Sequence, residues 1–442
     1  MLLACVTASV GASLALAGEV GSSRSDGPVP ARAEAIAPGV SLLKYRVSGP
    51  NRVRVLRIDP TRASVDVGLA GSVWPAYATT SEIARAHRAV GAINGDFAID
   101  GHPFHPYAED GAVATTGRKT GFGFNVRLDG TDPGAGKFPF RMSATDEAAG
   151  ASRSVERLND GPPPAGALGG YTRTGGSVER PPTNTCAARL VPAAAPAWEP
   201  GGNGVVRSYS VDARRCAKDR LKPGTAKQVV LAAPSSSGGS AGWVRALAVG
   251  GEVTLSWRVP DRPYVTDQQG GSPLLLDDGD IVAPATCGSY FCGKNPRSGV
   301  GYAPDGTVFF VTVDGRQTGS VGMTLPRFAE VFLDLGATWA VNMDGGASTT
   351  MVVKDGAGYD VVNSPATSNG AQRLIVTAYL VHAGTDGGEP PSLANGLAAR
   401  TLSSPPADPI EAASHAAIAA AERSALGDPG STGGLLEARL RG

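Results

Sequence analysis

The first part of the chain alternates apolar and polar residues, a pattern typical of half-buried β-strands. The alternation runs through 40–47, 53–58 and 63–69, and in extended backbone it turns every second side chain to the same face. Apolar runs predict further strands at 90–93, 229–233, 244–247, 252–257, 308–313, 339–343 and 350–354. An acidic turn at 277–280 between two more apolar runs predicts a hairpin.

Helical periodicity is limited to a few short segments. Thr79 is a candidate N-cap for a helix at about 82–88, and Thr324 is one for a stronger helix over 325–335. An Ala-rich stretch at 409–426 predicts an isolated helix. With 60 glycines and 34 prolines the chain is rich in turns. We therefore expect an α+β fold, with a mixed, largely antiparallel β-sheet core and a few packed helices.

Composition divides the chain into one domain with flanking segments. The apolar start closes with Ala15-Leu16-Ala17, which predicts a signal peptide cleaved after Ala17 and a secreted, extracellular protein, although no basic residue precedes the apolar run. A lipid-modified Cys5 is the less favoured alternative. Residues at about 130–204 are rich in Gly and Pro with little periodicity, so we expect an insertion that runs over the surface. The predicted order is signal peptide 1–17, linker 18–38, domain 39–383, and linker with Ala-rich tail 384–442.

Cysteine spacing predicts disulfides. Of the five cysteines, Cys5 lies in the predicted signal peptide, and the remaining four suit an oxidising compartment. We expect the pairs Cys186–Cys216 and Cys287–Cys292, one pairing of three. A four-thiolate zinc site would usually show two closely spaced pairs, and the chain has one.

Charge excludes some classes of partner. Forty basic and 40 acidic residues balance, so no nucleic-acid partner is indicated, and the apolar start is too short and too rich in Gly and Ser for stable membrane insertion. His102 and His105 lack companions at metal-ligand spacing, and the acidic turn at 277–280 is shorter than a calcium loop, so it is read as a solvated hairpin. We expect no metal and no cofactor.

Two strand ends carry the same motif. Asn94-Gly95-Asp96 and Asn342-Met343-Asp344 each follow a short apolar run, so each places an amide and a carboxylate on one face. Such residues beside glycine often only stabilise turns, but two matching motifs in one chain favour a shared site.

Two arginines lie near strand ends among glycines. Arg297 precedes Ser298-Gly299, and Arg316 follows Asp314-Gly315. A guanidinium can bind two phosphate oxygens at once. Because 32 of the 40 basic residues are arginines, placement counts for more than number.

A succession of motifs over about 40–381 resembles the phosphodiester glycosidases. The segments that carry the resemblance are Asn94-Gly95-Asp96-Phe97, Gly271-Ser272-Pro273-Leu274-Leu275, Pro296-Arg297-Ser298-Gly299-Val300-Gly301, Val313-Asp314-Gly315-Arg316, Asn342-Met343-Asp344-Gly345-Gly346-Ala347-Ser348-Thr349 and Val361-Val362-Asn363. The family commonly has a second aromatic residue where this chain has Ala98, and the stretch at 130–204 is unusual. The resemblance implies hydrolysis of the anomeric C–O bond of a sugar-1-phosphodiester, releasing a sugar similar to N-acetylglucosamine from a wall polymer, an exopolysaccharide or a small glycoside.

The reaction passes through an oxocarbenium-like state, so it needs carboxylates near the anomeric carbon and cations near the phosphate. The predicted catalytic residues are Asp96, Asp344, Asp314 and Arg297, with one carboxylate activating water or attacking the sugar. The predicted substrate-binding residues are Asn94, Arg316, Asn342, Gly345, Gly346, Ser348, Thr349 and Asn363. Two alternatives are a non-catalytic carbohydrate-binding protein and a phosphodiesterase that cuts at phosphorus, which would usually show a metal cluster.

Overall fold

The computed structural model describes residues 32–119, 121–127, 132–193, 197–198, 205–225, 227–236, 238–260, 262, 265–287 and 290–384. The predicted signal peptide and the predicted tail helix at 409–426 lie outside the described residues. The last part of the predicted linker at 18–38 is a β-strand. No described helix is long and apolar enough to cross a bilayer.

The described residues form mostly strands. In chain order these are β1 Arg32–Ala37, β2 Val40–Val47, β3 Asn51–Ile58, β4 Ala63–Leu69, β5 Gly91–Asn94, β6 Ala98–Ile99, β7 His102–Pro103, β8 Tyr107–Glu109, β9 Ala112–Thr115, β10 Phe122–Arg127, β11 Gly134–Gly136, β12 Arg141–Asp146, β13 Ala151–Leu158 and β14 Leu168–Thr172. They continue with β15 Thr185–Pro192, β16 Ala197–Trp198, β17 Val205–Ala217, β18 Val229–Pro234, β19 Glu252–Arg258, β20 Val265–Gly271, β21 Leu274–Asp277, β22 Asp280–Ile281, β23 Arg297–Tyr302, β24 Val308–Val313, β25 Trp339–Asn342, β26 Met351–Asp355, β27 Gly358–Val361 and β28 Thr377–Ala383.

The helices are short. They are α1 Thr80–Ala86, α2 Gly238–Ala246 and α3 Leu325–Asp334, with 3-10 turns at Arg173–Gly175, Tyr290–Cys292 and Gly346–Ser348. Thr79 starts α1 through a capping box, because its Oγ1 accepts from Glu82 N at 3.2 Å while the Glu82 carboxylate accepts from Thr79 N at 2.7 Å. The helix predicted at 325–335 is confirmed, whereas residues 244–247, predicted as a strand, lie mainly in α2.

Two sheets face each other across the main core. Sheet I has the order β1-β2-β3-β24-β23-β25-β21-β22, and sheet II has the order β27-β26-β5-β28-β4. Sheet III, in the order β11-β10-β20-β8-β9, completes the enclosure. Phe310 from sheet I, Tyr379 from sheet II and Phe124 from sheet III share this core. The expected α+β fold with a largely antiparallel core is confirmed.

Helices cover the outer faces of these sheets. Phe328 and Phe332 of α3 pack on sheet I, and Ile83 of α1 packs on sheet II. Each fully buried phenylalanine contributes about 2–3 kcal/mol from burial alone. The layers are therefore α3, sheet I, sheet II and α1, and strand ends of the two sheets open toward the same edge.

The stretch at 130–204 does not run over the surface as an irregular excursion. It supplies β11 to β16, and of these β12 to β16 join β17, β18 and β19 in a further sheet, with β16 at one edge. Because β15 pairs with both β17 and β18, that sheet closes into a ring. Leu190, Leu231 and Val211 form its core with Trp243 of α2. The sequence did not predict these strands, because glycines and prolines interrupt their alternation of apolar and polar residues. The pairing of β15 with β17 also has a register shift.

Both expected disulfides are confirmed. Cys186–Cys216 links β15 to β17, and Cys287–Cys292 brackets the 3-10 turn at Tyr290–Cys292. Such bridges are typical of proteins outside the reducing cytosol.

Candidate functional site

The two matching strand ends meet where sheets I and II come together. Strand β5 ends at Asn94 in sheet II, and β25 ends at Asn342 in sheet I. The two segments are joined directly, because Asp344 N donates to Gly95 O at 3.1 Å and Asn94 Nδ2 donates to Asp344 O at 2.7 Å. The convergence expected for the two motifs is therefore present in the fold.

Both asparagines of the motifs hold backbone in place. Asn94 Oδ1 accepts from Ser298 Oγ at 2.7 Å and from Thr350 N at 3.1 Å. Asn342 Nδ2 donates to Ser272 O and to Met343 O, each at 2.8 Å. Since both side chains are buried, the contacts are those of residues that fix the strand ends. Their predicted role in substrate binding stays a prediction.

Asp96 is the buried carboxylate of the pair. Its side chain is 0% exposed, and it accepts three hydrogen bonds, from Phe97 N at 2.7 Å, from His105 N at 2.7 Å and from His105 Nδ1 at 2.6 Å. Because a carboxylate oxygen is the acceptor, Nδ1 carries the proton of that bond. The pair therefore fixes both the orientation and the tautomer of the imidazole, leaving Nε2 as the nitrogen that can exchange a proton.

His105 lines a pocket of about 370 Å³, here called the His105 pocket, together with Phe97, Phe104, Lys119 and Ser272. A Cβ at Gly270 would lie 1.9 Å from the Cβ of His105, so only glycine lets β20 pass this close. The sequence shows no companion for His105 at metal-ligand spacing, and it does not predict the contact with Asp96. The contact with Asp96 places it inside the site.

Asp344 is the more accessible carboxylate. Burial is the main cause that raises the pKa of Asp344 above its ordinary value, and the negative charge of Asp96 raises it further. A hydrogen bond from Ser348 and the charge of Arg373 oppose this rise. Arg373 Nη1 in turn donates to Ser348 Oγ at 3.2 Å. Arg373 was not predicted, because no motif surrounds it and an arginine alone is a weak signal in this arginine-rich chain.

Arg316 lies on the other side of the turn at Gly346–Ser348. Its side chain is exposed, stacks on the ring of Tyr290 at 5.4 Å and donates from Nη2 to Asn295 Oδ1 at 3.0 Å. A Cβ at Gly346 would lie 3.0 Å from that nitrogen, and Gly346 has φ +62°. Glycine there permits both the backbone conformation and the close approach of the guanidinium.

The surroundings of Arg297 differ from those expected for a residue that binds phosphate. It is 2% exposed, and it donates from Nε to Met323 O at 2.9 Å and from Nη2 to Phe291 O and Gly293 O at 2.7 Å each. Burial, and to a lesser degree the charge of Arg316, lowers the pKa of Arg297 to about 10. These contacts fix the turn that carries Tyr290, so its geometry is that of a supporting residue; direct phosphate contact stays a prediction.

Asp314 also has supporting contacts. It is buried, and it accepts from Arg52 Nε at 3.1 Å and from Ser364 N at 2.8 Å. Asn363 Oδ1 accepts from Met351 N at 2.8 Å while its Nδ2 donates to Thr349 O at 3.0 Å. The two residues therefore tie neighbouring loops together, and their predicted catalytic and binding roles stay predictions.

The structure thus separates the predicted residues into two groups. One group is exposed or partly exposed, namely Asp344, Gly345, Gly346, Arg316 and Asn363. The other is buried around it, namely Asn94, Asp96, Arg297, Asp314, Asn342, Ser348 and Thr349. Within the described ranges, no three His, Cys, Asp or Glu side chains lie together in a way that could hold a metal ion.

A loop of the site is also held by the stretch at 130–204. Glu179 Oε1 lies 3.4 Å from His102 Nε2 and accepts from Arg118 Nη2 at 2.6 Å. His102 stacks on Trp74 at 5.2 Å between ring centroids. The connection that precedes β15 therefore contacts the segment that leads to His105.

The architecture and the site define an antiparallel α+β protein with carboxylates and arginines at converging strand ends. More narrowly, the model of the phosphodiester glycosidase family matches residues 209–382, so this part of the chain is similar to that family. This is the family that the sequence motifs resemble.

Comparisons with individual proteins are more distant. Over 103 residues the chain is 35% identical to the SPbeta prophage-derived uncharacterized protein YomE of Bacillus subtilis, which is 23% of this chain and 15% of that protein. A hypothetical protein from Synechocystis shares the fold with a TM-score of 0.59 at 19% identity, over 78% of this chain and 62% of that one. A Burkholderia pseudomallei protein, named as a candidate exported protein, gives a TM-score of 0.52 at 22% identity, over 75% and 74%.

Proposed function

We propose that this protein is a secreted hydrolase that cleaves the bond between the anomeric carbon of a sugar and the oxygen of a phosphodiester. The products are the free sugar, similar to N-acetylglucosamine, and a phosphomonoester. The observation that carries the proposal is the pairing of strand ends, which places Asp344 beside the Asp96–His105 pair and in electrostatic contact with Arg373. The match of residues 209–382 to the phosphodiester glycosidase family model supports the same reaction class.

Asp344 is the residue that acts at the sugar carbon. As the C–O bond breaks, positive charge develops at the anomeric carbon, and a nearby carboxylate stabilises it. The oxygen of water becomes the anomeric hydroxyl. The proton that water loses passes to His105 Nε2 or to Asp344 and then to solvent. Asp96 acts through His105 by holding the imidazole in place.

Arg316 and Arg373 are the residues that bind the phosphate. Both side chains are exposed, and both adjoin the turn that follows Asp344. The leaving group is a phosphomonoester anion, which is only weakly basic, so cationic donors can stabilise its departure without full protonation. Arg297 supports this region from beneath through the turn that carries Tyr290.

The natural substrate is proposed to lie outside the cell, as a wall polymer, an exopolysaccharide or a small glycoside. The two disulfides and the leader-like start of the chain support export. The proposed partner is the carbohydrate part of this substrate, and no nucleic-acid partner is proposed.

Hydrolysis in oxygen-18 water tests the proposal. The purified protein is incubated with a panel of glycosyl-1-phosphodiesters, and mass spectrometry locates the label. We expect the label in the sugar and no product with Asp344→Asn. Label in the phosphate would show attack at phosphorus and overturn the proposal. Binding of the panel without any product would instead favour the alternative, a non-catalytic carbohydrate-binding protein.

A further inference from the structure

A second cavity of about 740 Å³, here called the aromatic pocket, lies at the start of β25, the opposite end from Asp344. Four partly buried aromatic side chains line it, namely Phe122, Phe138, Tyr302 and Trp339. Aromatic residues make up only 6% of the chain, so four in one open cavity is a local concentration. Part-exposed aromatic rings around a cavity indicate a ligand site more than a core.

The two largest rings are arranged in parallel. Tyr302 and Trp339 are directly opposite each other on β23 and β25, with ring centroids 6.5 Å apart and planes 5° from parallel. The faces of both rings are therefore turned the same way. Lys137, whose Nζ lies 5.2 Å from the centre of the Phe122 ring, adds a polar group beside the apolar wall.

The edge of the aromatic pocket is polar and of mixed charge. Lys137, Arg262 and Asp277 line it together with the rings. A sugar ring fits this arrangement, because it offers an apolar C–H face to an aromatic ring and hydroxyl groups to donors and acceptors at its edge. An alkyl chain fits less well, because it would bury these charged side chains without satisfying them.

The aromatic pocket and the His105 pocket are lined by neighbouring residues of two chain segments. Ser272 lines the His105 pocket, while Pro273 and Leu274 line the aromatic pocket. In the other segment, Lys119 lines the His105 pocket and Phe122 lines the aromatic pocket. Strand β25 has three residue steps between its ends, a span of about 10 Å. The two pockets are therefore lined by residues that are close neighbours in the same two segments of the chain.

We propose that the aromatic pocket is a second sugar-binding subsite, which holds a sugar of the substrate remote from the bond that is cut. The substrate is then a carbohydrate chain and not a single sugar on a phosphodiester. This inference rests on the proposed function for the position of the reacting end, but sugar binding at Tyr302 and Trp339 does not depend on turnover.

Chain length of the substrate tests the subsite. Glycosyl-1-phosphodiesters with one, two and three N-acetylglucosamine residues are compared in wild type, Trp339→Ala, Trp339→Phe and Tyr77→Ala. Tyr77 is an exposed aromatic residue that lines neither pocket. We expect kcat/KM to rise at least about tenfold with length in wild type, as one stacked ring contributes. Trp339→Ala should abolish that gain and leave the single-sugar substrate unchanged, while Trp339→Phe keeps most of it and Tyr77→Ala keeps all of it.

Direct binding separates this inference from the proposed function. Calorimetric titration of Asp344→Asn with chitotriose, cellotriose and maltotriose should detect binding of at least one trisaccharide, weakened at least about tenfold by adding Trp339→Ala. If the trisaccharide binds in this way and wild type turns over no phosphodiester, the subsite is sustained and the proposed function is overturned. The subsite would be overturned if Trp339→Ala lowered kcat/KM equally on all three chain lengths. It would also be overturned if no trisaccharide bound, or if an alkyl phosphate bound more tightly than the trisaccharides.

Discussion

The two Asn-x-Asp strand ends share a sequence pattern and differ in their surroundings. Asp96, at the end of β5, is 0% exposed and accepts three hydrogen bonds, two of them from His105. Asp344, past the end of β25, remains partly exposed, and its pKa is raised mainly by burial of the carboxyl and next by the charge of Asp96. Asp96 therefore has three hydrogen-bond donors within the fold. For Asp344, the contacts with Ser348 and Arg373 offset the effect of burial on the pKa only in part.

This difference shows that neighbours, and not the motif, decide what a carboxylate does. The chain after Asp96 folds back through β6 and β7 and places His105 on it. The chain after Asp344 turns at Gly346–Ser348 and leaves the carboxyl beside Arg373. A partly exposed carboxyl with a raised pKa is a feature that is common in catalytic sites.

The largest expected effect is the loss of activity in Asp344→Asn. The substitution keeps the shape and removes the charge, so kcat should fall at least about a hundredfold. Steady-state kinetics on the best glycosyl phosphodiester measure it. Asp305→Asn, at an exposed turn, is the control and should stay within about twofold. A kcat for Asp344→Asn within threefold of wild type would remove Asp344 from the reaction.

A smaller effect, on stability, is expected for Asp96→Asn. An amide has a single acceptor oxygen for the three N–H groups that now bind the carboxylate. The free energy of unfolding should fall by about 3 kcal/mol, because buried donors lose their acceptor. Urea unfolding measures it. Unchanged stability would mean that Asp96 is not the buried anchor described above.

The two arginines near the site should respond in opposite ways. Arg297→Lys loses hydrogen bonds to three backbone carbonyls, so unfolding free energy should fall by about 2 kcal/mol while KM changes little. If Arg316 binds the phosphate as proposed, Arg316→Lys loses a two-pronged contact, so KM should rise about tenfold with stability within about 0.5 kcal/mol of wild type. The reverse pattern would make Arg297 the phosphate ligand, as the sequence suggested.

Much of the fold could be predicted where one periodicity dominates. The strands at 40–47, 53–58 and 308–313 and the helix at 325–335 agree with the structure because each buries one regular face. The prediction of a surface excursion at 130–204 was wrong, because these strands form a ring with its own core. Glycines and prolines interrupt their alternation of apolar and polar residues. Residues 244–247 were too few for their helical period to show.

The candidate site could be predicted in part. The meeting of the Asp96 and Asp344 segments followed from their matching patterns, and contact across sheets I and II is confirmed. The roles of Arg297 and Asp314 could not be separated from that of Arg316, because burial and hydrogen-bond partners depend on distant segments such as Arg52. Arg373 and His105 were missed as members of the site for the same reason.

The sign of the stability change in Asp344→Asn tests the central claim most directly. Because the pKa of Asp344 is raised in the folded state above its ordinary value of 3.8, its ionisation costs stability as pH rises from about 4 through the folded pKa. Each tenfold change in proton affinity between the folded and unfolded states changes the free energy of unfolding by about 1.4 kcal/mol. In a chain of this size that shifts the melting temperature by about 2 °C. Thermal unfolding of both proteins should show Asp344→Asn melting higher at pH 7, with the difference closing below about pH 4. A variant that melts lower than wild type at pH 7 would contradict the account, because Asp344 would then be a satisfied structural residue like Asp96.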